Sequence, residues 1–155
     1  MKTFIVDANL LLLWVVGRAS REYIKDRVHK KLDAYSLEDF DLLSEILSKA
    51  PRVILTPNTL TEVSNHADWV KEPAKSEISA VLRCLAQASD GVEEHIVASA
   101  TATNRREFSR LGLTDSVLLE LASGAWEILT ADNHLYLAAA HAGYPATNFN
   151  HLRAF

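Results

Sequence analysis

The stretch FIVDANLLLLWVVG, residues 4–17, is apolar except for Asp7 and Asn9. Residues 2–6 are predicted to form a short buried strand, and a helical pattern begins at Ala8. An unpaired carboxylate costs several kcal/mol to bury, so an aspartate inside such a stretch needs either a partner or a chemical role. This arrangement of strand, aspartate and apolar helix is the starting point for predicting both the fold and the site.

The same alternation of strand and helix continues along the chain. Strands are predicted at 2–6, 52–56, 126–130 and 144–149. Ser36 is a good N-cap for the helix that Pro51 ends, and Thr56 before Pro57 begins the next helix. Residues 92–100 are ambiguous between strand and helix. Strands that alternate with helices predict an α/β fold of three layers, with helices on both faces of a central parallel sheet of four to five short strands.

Length and composition are typical of one globular domain over residues 1–155. The chain is 48% hydrophobic and 23% charged, which is ordinary for a globular protein. Its single cysteine, Cys84, cannot form an internal disulfide, and this favours a reducing compartment. The cleanest apolar run of the opening, 10–16, is much shorter than the roughly 20 residues that a membrane span needs. We therefore predict a cytoplasmic protein with no membrane partner.

Charge is distributed unevenly along the chain. The net charge of −4 by itself argues against nucleic-acid binding. However, residues 18–31 carry six basic and two acidic side chains, and a second basic cluster precedes Asp115. The predicted phosphate-contacting residues are Arg18, Arg21, Lys25, Arg27, Lys30, Lys31, Arg105, Arg106 and Arg110. Local patches decide where a phosphate backbone can lie, although solvated helix faces explain the same charges.

Four acidic residues follow strands or begin helices. Asp7 ends the first strand, and Asp132 follows a later strand by two residues. Glu62 lies in the second turn of a helix that leaves a strand, and Asp115 lies at the start of its own helix. Because the carboxyl ends of parallel strands meet at one edge of a sheet, these acids can gather there. Gathered carboxylates repel one another, and a divalent cation such as Mg²⁺ relieves that repulsion and can activate water for phosphodiester hydrolysis.

Four segments, in this order, resemble the motifs of PIN-domain nucleases. FIVDANLLL (4–12) is similar to the opening of that family, TPNTLTEV (56–63) to its second motif and LGLTDSVLLELA (111–122) to its third. ILTADNHLYLAAAHAGYPATNF (128–149) is similar to the fourth motif and the closing strand, and it contains the T-x-D-x-x-L arrangement. Together the four segments extend over nearly the whole chain.

The resemblance implies a PIN-like fold whose acidic site holds one or two Mg²⁺ or Mn²⁺ ions and cleaves single-stranded RNA. The acids that it assigns to this site are Asp7, Glu62, Asp115 and Asp132. It also implies that Asn9 and Thr130 support the acids. For VapC-like toxins of the family it further implies a small antitoxin partner and a homodimer. The chain departs from compact toxins through a basic helical segment at about 18–50.

Other functions stay open at this point. A catalytically silent PIN-fold module that binds RNA or protein is one alternative, and a solitary RNA-processing nuclease without an antitoxin is another. Phosphatases of the haloacid dehalogenase type also carry an aspartate after the first strand, but they need a second aspartate where Asn9 is found. No glycine-rich turn follows the first strand, and this argues against dinucleotide binding.

Three tryptophans receive different predictions. Glu62, His66 and Trp69 share one helical face, so His66 and Trp69 could contact a base or a phosphate beside the site. Such a face more often simply meets solvent or a neighbouring helix. Trp14 and Trp126 lie in apolar stretches and are predicted to belong to the core.

Overall fold

The computed structural model describes residues 1–88 and 91–154. Over these ranges the strands are β1 (Phe4–Val6), β2 (Val53–Leu55), β3 (Val92–Glu94), β4 (Glu127–Thr130) and β5 (Ala146–Asn148). The α-helices are α1 (Ala8–Ala19), α2 (Arg21–Lys25), α3 (Leu37–Lys49), α4 (Pro57–Ala67), α5 (Ala74–Ala86), α6 (Ser99–Thr103), α7 (Phe108–Leu111), α8 (Leu113–Ala122) and α9 (Asn133–Ala142). Short 3-10 helices span Lys30–Leu32 and Phe149–His151.

The strands form one parallel sheet in the order β3-β2-β1-β4-β5. β1 lies at the centre, where Ile5 is in register with Ile54 of β2 and with Ile128 of β4. The strand order therefore reverses between β1 and β4, and in such sheets ligands bind at the carboxyl ends of the strands beside this point. The ambiguous segment 92–100 supplies β3 and the first residues of α6.

Side chains of the strands alternate between two apolar cores. Phe4 and Val6 pack in a core with α1, α3 and α5, whereas Ile5 packs with α8 and α9 on the opposite face. Ile54 and Ile128 join Ile5 in the second core. This alternation follows from the two-residue period of a strand, and it makes a three-layer α/β/α fold, as predicted.

Three helices begin or end at the capping residues that the sequence predicts. Ser36 and Asp39 form a capping box at the start of α3, and Thr56 does the same with Thr59 before α4. Gly143 ends α9 with the left-handed conformation that glycine adopts without strain. These caps satisfy backbone groups that a helix terminus otherwise leaves unpaired.

The two tryptophans predicted for the core differ in burial. Trp14 is 7% exposed within α1, which is buried on nearly all sides. Trp126 is only partly buried at the margin of the second core, where its ring meets His95 edge-on at 4.6 Å. The guanidinium of Arg52 lies 5.4 Å from the centre of the same ring. The prediction is therefore confirmed for Trp14, and Trp126 packs against the second core from its margin. In the described part of the chain, no helix has the length and apolar character that crossing a membrane requires.

Candidate metal centre

Asp7 lies at the carboxyl end of the central strand, where it also caps the following helix. Its Oδ1 accepts a hydrogen bond from the Ala8 N–H at 2.7 Å, and its Oδ2 accepts one from the Thr130 hydroxyl at 2.5 Å. The side chain is nearly inaccessible, and the residue is only 6% exposed. Asp7 therefore has local partners, but only one of them is a side chain, and that residue comes from the neighbouring strand.

Thr130 connects Asp7 to a second acid across the point where the strand order reverses. Its hydroxyl donates to Asp7, and its oxygen accepts the backbone N–H of Asp132 at 2.9 Å. Asp132 in turn caps α9, since its Oδ1 accepts the His134 N–H at 2.8 Å. One fully buried hydroxyl thus sets the positions of both acids.

Asp115 and Glu62 come from two helices that meet at the same edge. α8 begins after Gly112, whose φ of 89° is a conformation that residues other than glycine rarely adopt. Asp115 is in the first turn of α8, and Thr114 beside it donates to Glu62 Oε1 of α4 at 2.7 Å. This hydrogen bond joins residues that are 52 positions apart in the chain.

All four acids line one cleft of about 310 Å³, which we call the acidic cleft. Asn9, Lys31 and His66 line it as well. The cleft opens at the carboxyl ends of β1 and β4, because Asp7 directly follows β1 and Asp132 follows β4 by two residues. The carboxylates predicted to act together therefore share one space, although they come from four separate elements.

Burial and mutual repulsion change the acidity of two of these carboxyls. Burial raises the pKa of Asp7 to about 6, although its hydrogen bonds from Thr130 and Ala8 lower it. Burial also raises the pKa of Asp115 to about 8, and the carboxylates of Asp7, Asp132 and Glu62 raise it further. Near neutral pH the metal-free cleft therefore favours a protonated Asp115, because a negative charge there is disfavoured by burial and by the neighbouring carboxylates.

The donor set of the acidic cleft suits a hard cation. In residues 1–88 and 91–154, no three His, Cys, Asp or Glu side chains are close enough to hold one ion together. Mg²⁺, however, usually takes one or two carboxylates and keeps several waters, so it does not need a closed protein cage. Its charge would also offset the repulsion that raises the pKa of Asp115. The residues present therefore fit one or two hydrated divalent ions.

The basic segment 18–31 reaches the acidic cleft only at its end. Lys31 lines the cleft, and Lys30 lines the neighbouring one. Arg18 lies at the opposite edge of the sheet, where it stacks over Trp14 at 5.0 Å from the ring centre and shares a pocket with Val53, the first residue of β2. The reason is that α1 runs away from Asp7 for 12 residues, which is about 18 Å.

The other basic residues of this segment also lie apart from the acidic cleft. Arg21 pairs with Asp41 of α3. Lys25 ends α2, and Arg27 follows it in a turn with φ of 51°; both side chains are exposed, and neither lines the cleft. Segment 18–31 contains six of the basic residues that were predicted to contact phosphate. Of these six, only Lys31 lines the acidic cleft.

The second basic cluster divides between a structural and an exposed part. Arg105 donates to Glu120 Oε2 at 2.7 Å and to the Tyr144 hydroxyl at 3.0 Å, and it is 13% exposed. Its guanidinium joins the turn after α6 to α8 and to the segment between α9 and β5. Contact of Arg105 with phosphate stays a prediction that these hydrogen bonds disfavour. Arg106 and Arg110 are exposed and line a separate cavity of about 650 Å³ near α9.

Sequence analysis did not assign Thr114 or Gly112 to the site. Thr114 is next to Asp115, but nothing in the sequence indicates that its hydroxyl meets Glu62. Gly112 separates two helical patterns, and a glycine at such a boundary is a recognisable signal for a positive φ. The partner of Thr114 required the tertiary structure, whereas the role of Gly112 could have been predicted.

We expect Thr130→Val to lower the free energy of unfolding by about 1–3 kcal/mol, because it removes a buried donor to Asp7 and the acceptor of the Asp132 N–H. Urea denaturation measures the change. Thr3→Val is the matched control, since Thr3 is half-buried just before β1 and its hydroxyl forms no hydrogen bond within the described residues. Equal losses in the two variants would show that the Thr130 bridge adds no stability.

The sequence was also compared with known proteins. No family model matches the chain, and no curated protein matches it. Membership of the PIN-domain family therefore stays a prediction from the four sequence motifs.

Proposed function

We propose that the protein is a metal-dependent endoribonuclease that hydrolyses phosphodiester bonds of single-stranded RNA. The observation that carries the proposal is the convergence of four carboxylates on one cleft at the carboxyl edge of a parallel sheet. Keeping buried, mutually repelling acids together is costly unless a cation compensates them, and the pKa of Asp115 is raised by its burial and by the other three carboxylates. The resemblance to PIN-domain nucleases adds RNA as the substrate.

The four acids of the acidic cleft and the threonines that contact them have proposed tasks. Asp7, Glu62, Asp115 and Asp132 would hold Mg²⁺ or Mn²⁺, which, when bound, activates water and offsets charge on the phosphate. Thr130 fixes the orientation of the Asp7 carboxylate and of the Asp132 backbone.

Thr114 and the Asp115 proton complete this assignment. Thr114 orients Glu62 through its 2.7 Å hydrogen bond. The proton that the Asp115 carboxyl keeps at neutral pH is released when a cation binds, so metal affinity rises with pH.

The remaining parts of the proposal rest on the resemblance alone. A small antitoxin that covers the acidic cleft and a homodimer stay predictions, as does the choice between a toxin and a solitary RNA-processing enzyme. A silent binding module is the main alternative. It has no need of four carboxylates in one cleft, and for that reason we favour the nuclease.

The test is cleavage of a mixed pool of single-stranded RNA by the full chain with Mn²⁺, with Mg²⁺ and with EDTA. We expect cutting with either ion and none with EDTA. Calorimetric titration with Mn²⁺ on the same preparation should show binding that strengthens from pH 6 to pH 8 as the Asp115 carboxyl loses its proton. Absence of both cutting and Mn²⁺ binding would contradict the proposal and favour the silent module.

A further inference from the structure

A second cleft adjoins the acidic one on the side of α4. It measures about 550 Å³ and is lined by Val28, His29, Lys30, Lys31, His66 and Trp69. We call it the tryptophan cleft. Lys31 and His66 line both clefts, so the two are continuous along the carboxyl edge of the sheet. Its volume lies within the range of about 300–1,000 Å³ that is common for small-molecule sites.

Trp69 presents an aromatic surface to solvent at one wall of this cleft. It is 84% exposed, although it is the largest side-chain type and is followed by Val70, which is 5% exposed. Its backbone N–H donates to the His66 carbonyl at 3.2 Å, so the residue is held at the end of α4. An exposed tryptophan held on a helix end offers a flat surface on which another ring can stack.

A pair of histidines forms the floor between the 28–31 segment and α4. The His29 and His66 rings meet edge to face, with their centres 5.1 Å apart. His29 is 7% exposed, and its Nδ1 accepts the backbone N–H of Lys31 at 3.0 Å. These contacts fix the position of the Lys30–Leu32 helix relative to α4, and thus the two lysines relative to Trp69.

Lys30 and Lys31 supply positive charge to the same cleft. Both side chains are exposed, and neither forms an ion pair within the ranges that the structure describes. Burial lowers the pKa of His29 and of His66 and thus favours their uncharged rings, so the positive charge of the cleft comes from the lysines. The cleft therefore combines an aromatic surface with two available cations.

We propose that the tryptophan cleft binds one nucleotide of a single-stranded RNA, with its base stacked on Trp69 and its phosphate contacted by Lys30 and Lys31. The nucleotide would be a neighbour of the bond held at the acidic cleft, because Lys31 and His66 belong to both. The proposal rests on the proposed function for the type of chain bound. Stacking and phosphate contacts of this kind recognise single strands with little dependence on sequence.

The charge of the cleft favours a nucleic acid over a protein partner. An exposed tryptophan alone suits either, since tryptophan is also frequent in the centres of protein interfaces. Lys30 and Lys31 have no carboxylate partner among the described residues, and they lie beside a cleft with four carboxylates. This arrangement suits a nucleic acid, whose phosphates alternate with flat bases, better than it suits a protein. The acidic cleft would repel such a chain without a cation, so the lysines supply the nearest attraction.

The experiment that tests this proposal measures binding of a fluorescein-labelled single-stranded RNA of about ten nucleotides by fluorescence anisotropy. It is carried out in Mg²⁺ with every variant made in the Asp115→Asn background, so that the cation offsets the acidic cleft while no cleavage is expected. We expect Trp69→Ala to raise the Kd by roughly 5- to 100-fold and Trp69→Phe to raise it less, because phenylalanine still stacks. Ile96→Ala is the matched control, since Ile96 is 78% exposed, is apolar and lines neither cleft. Quenching of tryptophan emission by the RNA should be lost in Trp69→Phe.

Salt dependence separates the stacking from the phosphate interaction. Replacing Lys30 and Lys31 together by alanine should reduce the slope of log K against log salt by about 0.7 for each phosphate that the two lysines neutralise. Trp69→Ala should lower the affinity and leave this slope unchanged, since stacking releases no counterions. Lys71→Ala is the control for charge alone, because Lys71 is exposed and lines neither cleft.

The outcomes distinguish this proposal from the proposed function. Binding that depends on Trp69 in a protein that cleaves no RNA would support the nucleotide cleft and contradict the nuclease. Cleavage by the wild type together with an unchanged Kd in Trp69→Ala would overturn the nucleotide cleft and leave the nuclease intact.

Discussion

The Asp115→Asn variant is expected to lose at least about 100-fold of the metal-dependent RNA cleavage while its metal-free form becomes more stable than the wild type at pH 8. Cleavage falls because a carboxylate proposed to hold the cation is replaced by a neutral amide. Stability rises because the amide removes a charge that burial and the carboxylates of Asp7, Asp132 and Glu62 disfavour. A substitution that inactivates and stabilises together is the expected signature of a functional acid.

The size of the stabilisation depends on pH. The pKa of Asp115 is about 8 in the folded protein, compared with 3.8 as the ordinary value, so folding favours the protonated form. The corresponding stability is present below pH 4 and is lost as the pH rises through 8. A pKa difference of this size corresponds to roughly 5 kcal/mol at pH 8. We expect a smaller gain of about 2 kcal/mol for the variant, because Asp115 is only half-buried and solvent screens its charge, and because the negative charge in the first turn of α8 is lost.

Thermal unfolding in EDTA at several pH values measures this effect. The difference between Asp115→Asn and the wild type should be small at pH 4 and grow to a shift of about 4–8 °C at pH 8. Glu38→Gln is the matched control, since Glu38 is an exposed acid in the first turn of α3. Unfolding of Asp115→Asn, or a stability difference that is independent of pH, would mean that the carboxylate has a structural role and that its assignment to the metal centre is wrong.

Gly17→Ala is expected to lower the free energy of unfolding by about 1–3 kcal/mol, although alanine is the better helix former. Gly17 lies in α1 directly against the Phe40 ring of α3. An added Cβ would be 2.2 Å from two ring carbons and 2.7 Å from Cγ, which is far inside contact distance. The ring is itself only 7% exposed, so it cannot move aside without disturbing the core. The steric cost therefore exceeds the roughly 1 kcal/mol gained in helix propensity.

Urea denaturation of a double-mutant cycle tests the cause of this loss. Phe40→Leu removes ring atoms, so Gly17→Ala should cost less in that background than in the wild type. Gly124→Ala is the control, because its added Cβ would meet only the Leu121 carbonyl oxygen at 3.4 Å. Strictly additive losses at Gly17 and Phe40 would show that the close approach of α1 and α3 is not what requires glycine.

Local patterns along the sequence determine much of the fold. The alternation of strands and helices, the caps at Ser36 and Thr56, and the helix end at Gly143 are all confirmed. Each depends on residues within four positions of one another, so the sequence contains the whole signal. The short segment 92–100 lacks such a signal, and its pairing with β2 decides that it begins as a strand.

Two acids of the candidate centre, Asp7 and Asp132, could be placed from the sequence because their positions depend on strand ends, whereas Glu62 and Asp115 lie on helices. A residue that follows a parallel strand lies at the carboxyl edge whatever the strand order, so Asp7 and Asp132 share that edge. The strand order itself, which puts β1 beside β4 and lets Thr130 bridge these two acids, appears only in the structure. Strand order depends on how the apolar faces of distant helices pack, and no short pattern contains that information.

Basic residues show the clearest limit of sequence analysis for this protein. Arg18 and Lys31 belong to the same basic segment, yet Arg18 lies at the amino end of the sheet and Lys31 lines the acidic cleft. Arg105 is adjacent to the exposed Arg106, but its guanidinium is held by Glu120 and Tyr144. Sequence alone determined which elements form and which acids follow the strands, because both follow from local periodicity and chain direction. Tertiary structure decided which charges meet, because a long side chain near a helix end finds its partner only when distant elements pack.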